Sequence, residues 1–209
     1  GKHTVAAGPL DGRPVSDSED EIVRLPFPEY QLQLKVSARI FFQANWQLNQ
    51  DLVAFVTSSL SGFDRVADLY AGAGNFALPL ATVNDRVLAL EYESGAVKAC
   101  RQSALQAGLD NLRVERLDLS GFLPDNLLSD FAPKGLVLDP PRTGGGKKGL
   151  ESLRRLDSLQ RLIWVSCDLV NTCRDLRLFL EQGWKIEKIA LFDMFPQTWH
   201  LEAVFVLDR

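Results

Sequence analysis

The apolar and polar positions divide the chain into two unequal parts. Residues 1–25 are polar, rich in Gly, Pro and Asp, and strongly acidic from Ser16 to Glu21, so they read as a loop or arm. Gln31-Leu32-Gln33-Leu34-Lys35-Val36 alternates strictly and predicts a strand with one buried face, part of an appended piece. From about residue 40 the pattern changes. Residues 46–60 carry helical spacing with Asn45 placed to cap them. Strands are then predicted at 66–70, 86–90, 112–117, 135–139 and 162–166, and helices at 75–82, 94–107, 150–158 and 169–182. Gly108 and Gly183 stand where two of these helices end. Two last strands, 184–192 and 201–207, have only a loop between them.

Repeated strand–helix alternation predicts an α/β fold with a mostly parallel sheet and helices on both faces. Two strands without an intervening helix predict an antiparallel hairpin at one edge. A sheet of this kind holds ligands beyond the carboxyl ends of its strands, so strand-end residues become the candidates for chemistry.

Composition changes this picture little. At 209 residues and 46% hydrophobic, the chain can build one well-cored domain with a small appendage. No apolar run approaches the ~18–20 residues that span a membrane. The start at Gly1-Lys2-His3-Thr4 has neither Met nor an apolar signal core, which reads as a piece of a longer protein. Three cysteines without paired spacing point away from a disulfide framework and toward a reducing cytoplasm. The net charge of −4 does not advertise a nucleic-acid binder. Residues 142–161, however, set Arg142, Lys147, Lys148, Arg154, Arg155 and Arg161 against Glu151 and Asp157, a local balance of +4. That is a solvated helix face or a local phosphate contact, with the main nucleic-acid grip elsewhere.

Asp68-Leu69-Tyr70-Ala71-Gly72-Ala73-Gly74-Asn75-Phe76 is a strand, a glycine turn and a helix start. Gly72 and Gly74 allow backbone to approach a ligand, and the helix start offers free N–H groups. With Ala77 the spacing also satisfies a dinucleotide fingerprint, so the motif leaves nicotinamide cofactors and S-adenosylmethionine both open. Glu91 ends the second strand of the alternating series, where an acid can accept hydrogen bonds from ribose hydroxyls. Asp118 closes the next strand and reads equally as a contact to adenine or as a helix cap. Asp139-Pro140-Pro141-Arg142 sets a carboxylate, a rigid turn and a guanidinium at the same edge.

Cys167 follows Val165-Ser166 at a strand end where a helix begins, a place that favours the thiolate. Taken alone, such a cysteine is more often a buried small hydrophobe, and Cys100 and Cys173, within helical patterns, read as core. Glu202 enters the last strand, where a surface glutamate is the ordinary reading. His200, two residues earlier, reads as a structural hydrogen bonder or a catalytic partner.

Phe41-Phe42-Gln43-Ala44-Asn45, the glycine-turn segment from Asp68 to Phe76, Leu90-Glu91, Asp139 to Arg142, Val165-Ser166-Cys167 and Asp193 to Glu202 together resemble the bacterial RNA (uracil-5-)-methyltransferase family, in order and over residues 40–209. The resemblance implies a Rossmann-like S-adenosylmethionine-dependent methyltransferase fold. It implies methylation of carbon 5 of a uridine in RNA, rRNA before tRNA. Cys167 would be the nucleophile that adds to carbon 6, and Glu202 the base for the carbon-5 proton. Gln43, Tyr70, Gly72, Asn75, Glu91, Asp118 and Asp139 would line the cofactor pocket, and no metal is expected. Residues 1–39 would be an arm or the remnant of a central domain. The RNA-binding domain of full-length members, and the iron–sulfur cluster that some carry, would lie outside this sequence. One departure stands out: the family usually reads Ser-Cys-Asn-Pro, and this chain reads Ser166-Cys167-Asp168-Leu169. An ionised carboxylate there would raise the thiol pKa. Competing readings are a nicotinamide-dependent oxidoreductase, a methyltransferase for DNA or another RNA position, and a non-catalytic RNA-binding module on the same fold. The oligomeric state is not legible.

Overall fold

The computed structural model describes residues 22–121, 125–198 and 201–209, so the acidic arm read over 1–21 and His200 lie outside the described residues. The described chain runs β1 (Ile22–Phe27), β2 (Leu32–Ser37), α1 (Trp46–Ser59), β3 (Arg65–Leu69), α2 (Ala77–Val83), β4 (Arg86–Glu91), α3 (Ser94–Ala107), β5 (Leu112–Arg116) and α4 (Asp125–Phe131). It continues through β6 (Gly135–Leu138), α5 (Lys147–Leu153), β7 (Arg161–Ser166), α6 (Leu169–Leu180), β8 (Lys185–Phe192) and β9 (Glu202–Asp208). None of the described helices is long and apolar enough to cross a membrane.

Seven strands form one sheet in the order β5-β4-β3-β6-β7-β9-β8. The first five are parallel, and β9 runs antiparallel to both β7 and β8. The expected terminal hairpin is therefore at the edge, with β9 folded inward and β8 outermost. Residues along a strand alternate between faces. Val66, Val87, Val137, Ile163, Val165, Val204 and Val206 pack under α1, α2 and α3 on one face. Ala67, Leu88, Leu136, Leu162, Trp164, Ala203 and Phe205 pack against α4, α5 and α6 on the other. Both faces are covered, which is why the parallel strands read as nearly continuous apolar runs.

Helix ends follow the local chemistry. The Asn45 side chain accepts from Leu48 N–H and opens α1. Gly108, at φ 68°, closes α3 in the left-handed region where glycine carries no steric cost.

Four expectations change. Ile22–Phe27 is a strand, not part of the arm: Leu25 and Phe27 are buried, and Pro26 sits on a two-stranded ribbon with β2 where a missing N–H is tolerated. The ribbon is fixed to α1 by Trp46, whose Nε1–H donates to Pro26 O at 2.9 Å and whose ring lies 4.9 Å from that of Phe27. Helix α4, absent from the periodicity reading, buries Leu128 on the sheet. Helix α5 begins at Lys147 and ends at Leu153, earlier than the predicted 150–158. Cys173 is exposed, because the inward stripe of α6 is Thr172, Asp175, Leu176 and Phe179, one position away from it. Cys100 is buried as expected, directly beneath the glycine turn.

Candidate active site

Period-two alternation places the chemistry. Glu91 has the parity of Ala89, Asp139 that of Val137, Cys167 that of Val165, and Glu202 that of Val204. All four therefore stand on the α1–α3 face at the carboxyl edge of the parallel strands. Ser166 pairs with Ala203, so continuing that register by one residue sets Cys167 opposite Glu202. A cavity of about 590 Å³ opens there. Gln43, Tyr70, Gly72, Glu91, Asp139, Arg142, Cys167 and Glu202 line it, with Phe41 and Phe195 among its other walls. A second hollow of about 400 Å³ adjoins it through Tyr70 and Pro141, and is walled by Tyr92, Asp118 and Gly144.

The glycine turn is held from two sides. Gly72 N–H donates to Glu91 Oε2 at 2.9 Å, and the N–H groups of Tyr92 and Glu93 donate to Oε1 at 2.7 Å each. Three of the roughly four acceptor sites of that carboxylate are thus used by backbone, leaving about one for a hydroxyl. Gly74 has φ 102°, and a Cβ there would lie 2.8 Å from Cys100 Sγ, so both backbone and space require glycine. Asn75 does not line either cavity. Its amide exchanges two hydrogen bonds with that of Asn49, at 2.7 and 3.1 Å, and Asn49 is fully buried on α1. Asn45 Nδ2 also reaches Met194 O at 3.5 Å. The start of α1 thereby ties the glycine turn to the link after β8, and sequence reasoning missed Asn49 in this role. Asn49→Ala should destabilise the fold by about 1–3 kcal/mol, since it leaves the Asn75 amide unpaired; denaturant unfolding measures this.

Tyr70 adopts φ 63°, which turns it out of the strand's alternation. Burial, reinforced by Asp118, pushes its hydroxyl up to about 12, so it stays protonated and donates to Gly145 O at 3.1 Å. Asp118 Oδ1 accepts from Ser120 N–H at 2.9 Å within a turn, and hydrogen bonding to Ser120 holds its carboxyl low.

The charges at the strand ends are frustrated. Burial raises Asp139 to about 7. Burial and then Asp139 raise Glu202 to about 8, against the opposing pull of Arg142. Asp68, fully buried in β3, is pushed far above its ordinary value by burial and then by Asp139, against the opposing pull of the Ala77 N–H. The Cys167 thiol is raised rather than lowered, first by burial and then by Glu202, while a hydrogen bond and the charge of Arg142 oppose this. The helix start is expected to lower the thiol, but burial dominates, and Asp168 occupies that end of α6: its Oδ1 accepts from Val170 N–H at 3.0 Å and Asn171 N–H at 3.1 Å. Those bonds hold Asp168 low, and its charge is not what raises the thiol. Of the basic stretch, Arg161 is spent in a bidentate pair with Asp208 at 2.6 and 2.7 Å, at the opposite end of β7.

The sequence matches the family profile described as tRNA (Uracil-5-)-methyltransferase over residues 19–209. It is 36% identical over 184 residues to the 23S rRNA (uracil(1939)-C(5))-methyltransferase RlmD of Shewanella halifaxensis, covering 87% of this chain and 41% of that protein. It is 35% identical over 190 residues to the enzyme of the same name from Xanthomonas axonopodis, covering 87% of this chain and 41% of that protein. Among solved structures, the tRNA (uracil-54, C5)-methyltransferase of Pyrococcus abyssi, in complex with S-adenosyl-L-homocysteine, superposes with a TM-score of 0.77 at 25% identity, over 90% of this chain and 44% of that one. The chain spans about two fifths of the length of the curated relatives it matches.

Proposed function

Because the chain belongs to the tRNA (Uracil-5-)-methyltransferase family, we propose that residues 40–209 form the catalytic domain of an enzyme that methylates carbon 5 of a uridine in RNA, with S-adenosylmethionine as methyl donor. Residues 1–39 are then the arm or end of a preceding part. The observation that carries the reading is the facing pair Cys167 and Glu202 at the lip of one cavity, opposite the glycine turn and Glu91.

The residues present fit the cofactor. Asp68, Glu91, Asp139 and Glu202 crowd one edge with Arg142 as counter-charge. A ligand bearing an ammonium and a sulfonium relieves that repulsion, whereas the pyrophosphate of a nicotinamide dinucleotide adds to it. Gln43, Tyr70, the backbone at Gly72, Glu91, Asp118 and Asp139 would hold it, with Asn75 acting through Asn49. When bound, S-adenosylmethionine supplies an electrophilic methyl group.

The chain's own groups supply the rest. Carbon 5 of uracil is a poor nucleophile. Cys167, as thiolate, forms a bond to carbon 6, and the carbon 5–carbon 6 π electrons move into an enolate that makes carbon 5 reactive. Arg142 stabilises the thiolate beforehand. Once carbon 5 carries the methyl, Glu202 removes the proton there. The C–H electron pair restores the double bond, and sulfur leaves carbon 6 with its own pair. Reaching both carbons requires a base out of its stack, and the exposed Phe41 and Phe195 offer apolar surface at the cavity wall. We take 23S rRNA as the preferred substrate because the curated relatives named above carry that substrate in their names at 35–36% identity, against 25% for the tRNA enzyme.

The test mixes the protein with S-adenosylmethionine and 5-fluorouridine-substituted 23S rRNA, digests with nuclease and records the intact mass. Fluorine cannot leave as a proton, so a nucleotide adduct should persist, vanish in Cys167→Ala, and form less readily with substituted tRNA. An adduct that survives Cys167→Ala removes the mechanism. A chain of the curated relatives' full length that still forms no adduct removes the activity.

A further inference from the structure

Helix α6 starts two residues after Cys167, with Asp168 as its cap, and reaches back to the loop that follows Pro140-Pro141. Three of its side chains grip that loop. Asn171 Nδ2 donates to Arg142 O at 2.9 Å, an Arg174 guanidinium N–H reaches Thr143 O at 3.4 Å, and Gly145 N–H donates to Asp175 Oδ2 at 3.0 Å. Asp175 is the centre of the grip. It is 4% exposed, an unusual place for a carboxylate on an otherwise amphipathic helix, and Arg174 Nε pairs with its Oδ1 at 2.8 Å. The loop is shaped around it: a Cβ on Gly144 would fall on Asp175 Oδ2, and Gly144 has φ 93°.

What this loop carries gives the grip a function. Pro141 and Arg142 wall the cavity that contains Cys167 and Glu202, while Thr143, Gly144 and Gly146 wall the adjoining hollow. Arg142, Cys167, Gly144 and Asn171 also share one small cleft. Gly145 O receives the Tyr70 hydroxyl from the opposite side. One rigid element thus sets the nucleophile and its cationic neighbour relative to each other.

We propose that Asp175 is a positioning residue: it anchors the 142–146 loop on α6 so that the Arg142 guanidinium stays on the Cys167 sulfur. The proposal rests on the reading of Cys167 as nucleophile, but its test does not need methyl transfer. The groups that face this thiol are Glu202 from β9, Asp139 from the end of β6 and Arg142 from the loop. Arg142 is the cation among them. Losing it from its place must raise the thiol pKa.

The sign separates positioning from simple charge. Asp175→Ala deletes a negative charge, and a field effect alone would make Cys167 easier to ionise. Loss of the anchor makes it harder. The measurement is the pH dependence of iodoacetamide alkylation at Cys167, in a Cys173→Ser background and site-resolved by mass spectrometry. Asp175→Ala should move the midpoint upward and slow alkylation at pH 7 by about tenfold. Asp175→Asn, which keeps an acceptor for Gly145 N–H, should restore most of the rate. Arg142→Ala should reproduce the upward shift, and adding Asp175→Ala to it should change little further. An unmoved or downward-moved midpoint in folded Asp175→Ala overturns the proposal. Should that variant fail to fold, Asn171→Ala removes the anchor on Arg142 O; its midpoint should also rise, and no rise there overturns the proposal equally. A shifted midpoint in a protein that never forms the fluorouridine adduct would retain the anchor and reject the methyl-transfer reading.

Discussion

Cys167→Ala is expected to reduce methyl transfer to the detection limit while leaving binding of S-adenosylhomocysteine within about twofold. The first half follows from chemistry: without a thiolate at carbon 6, carbon 5 has no enolate to react, and no other cysteine can substitute. Cys100 is buried under the glycine turn, where burial pushes its thiol up to about 12, and Cys173 is exposed outside the residues that line the cavity. The second half follows from layout. The glycine turn and Glu91 belong to β3 and β4, and their hydrogen bonds do not involve β7. Cys167 is only partly buried, so loss of its sulfur should change stability by no more than about 1 kcal/mol. Calorimetric titration with S-adenosylhomocysteine and a radiolabelled methyl-transfer assay read the two halves separately. Retained transfer removes Cys167 from the mechanism. Lost binding means that the thiol shapes the cofactor site instead.

The sheet and most of its helices were legible because two periodicities are written plainly: continuous apolar strands buried on both faces, and helices with one apolar stripe. Legibility failed where a local feature masked the period. Pro26 and the acidic run before it hid the alternation Val23, Leu25, Phe27. In α4 the apolar positions are few, and Pro133 follows closely. In α5 a run of three glycines and two lysines disguised a helix start as loop. The strand-end acids and Cys167 were found from motif and resemblance, but their electrostatics were not. No spacing reveals that Asp168 would cap α6 instead of repelling the thiol, or that Glu91 would bind three backbone amides. Asn49 and Asp175 were missed although a signal existed. Each sits at a core-facing position of its helix, Asn49 with Leu52, Val53 and Val56, and Asp175 with Thr172, Leu176 and Phe179. A polar residue in an apolar stripe must have a partner to justify its burial. Asking what that partner is leads to the glycine turn in one case and to the 142–146 loop in the other.

Glu202→Gln is the sharper test of the base, because it should stop the reaction in the middle while strengthening the fold. Glu202 is 5% exposed and holds its proton up to about pH 8, against an ordinary value of 4.5, because of burial and then Asp139. Between those two pH values the native state binds a proton that the unfolded chain has released. Stability therefore falls as pH rises across that window, by at most about 1.4 kcal/mol per pH unit. Glutamine never ionises and escapes this penalty. The melting temperatures of the two proteins should coincide near pH 4.5, diverge in favour of the variant up to about pH 8, and run parallel above it. The same coupling orders the reaction. Cys167 and Glu202 each oppose the other's ionisation, so near neutral pH the thiolate forms against a protonated Glu202. Bonding to carbon 6 consumes the thiolate charge, and Glu202 can then ionise and act as base. With Gln in its place, addition and methylation proceed but the carbon-5 proton stays. Turnover should drop by about 10²–10⁴-fold, and a covalent methylated adduct should accumulate on ordinary uridine RNA without any fluorine. In the native enzyme, turnover should rise as pH passes through about 8. A Glu202→Gln protein that turns over at the native rate assigns the proton to another group. One that is inactive with no adduct places Glu202 before the methylation step.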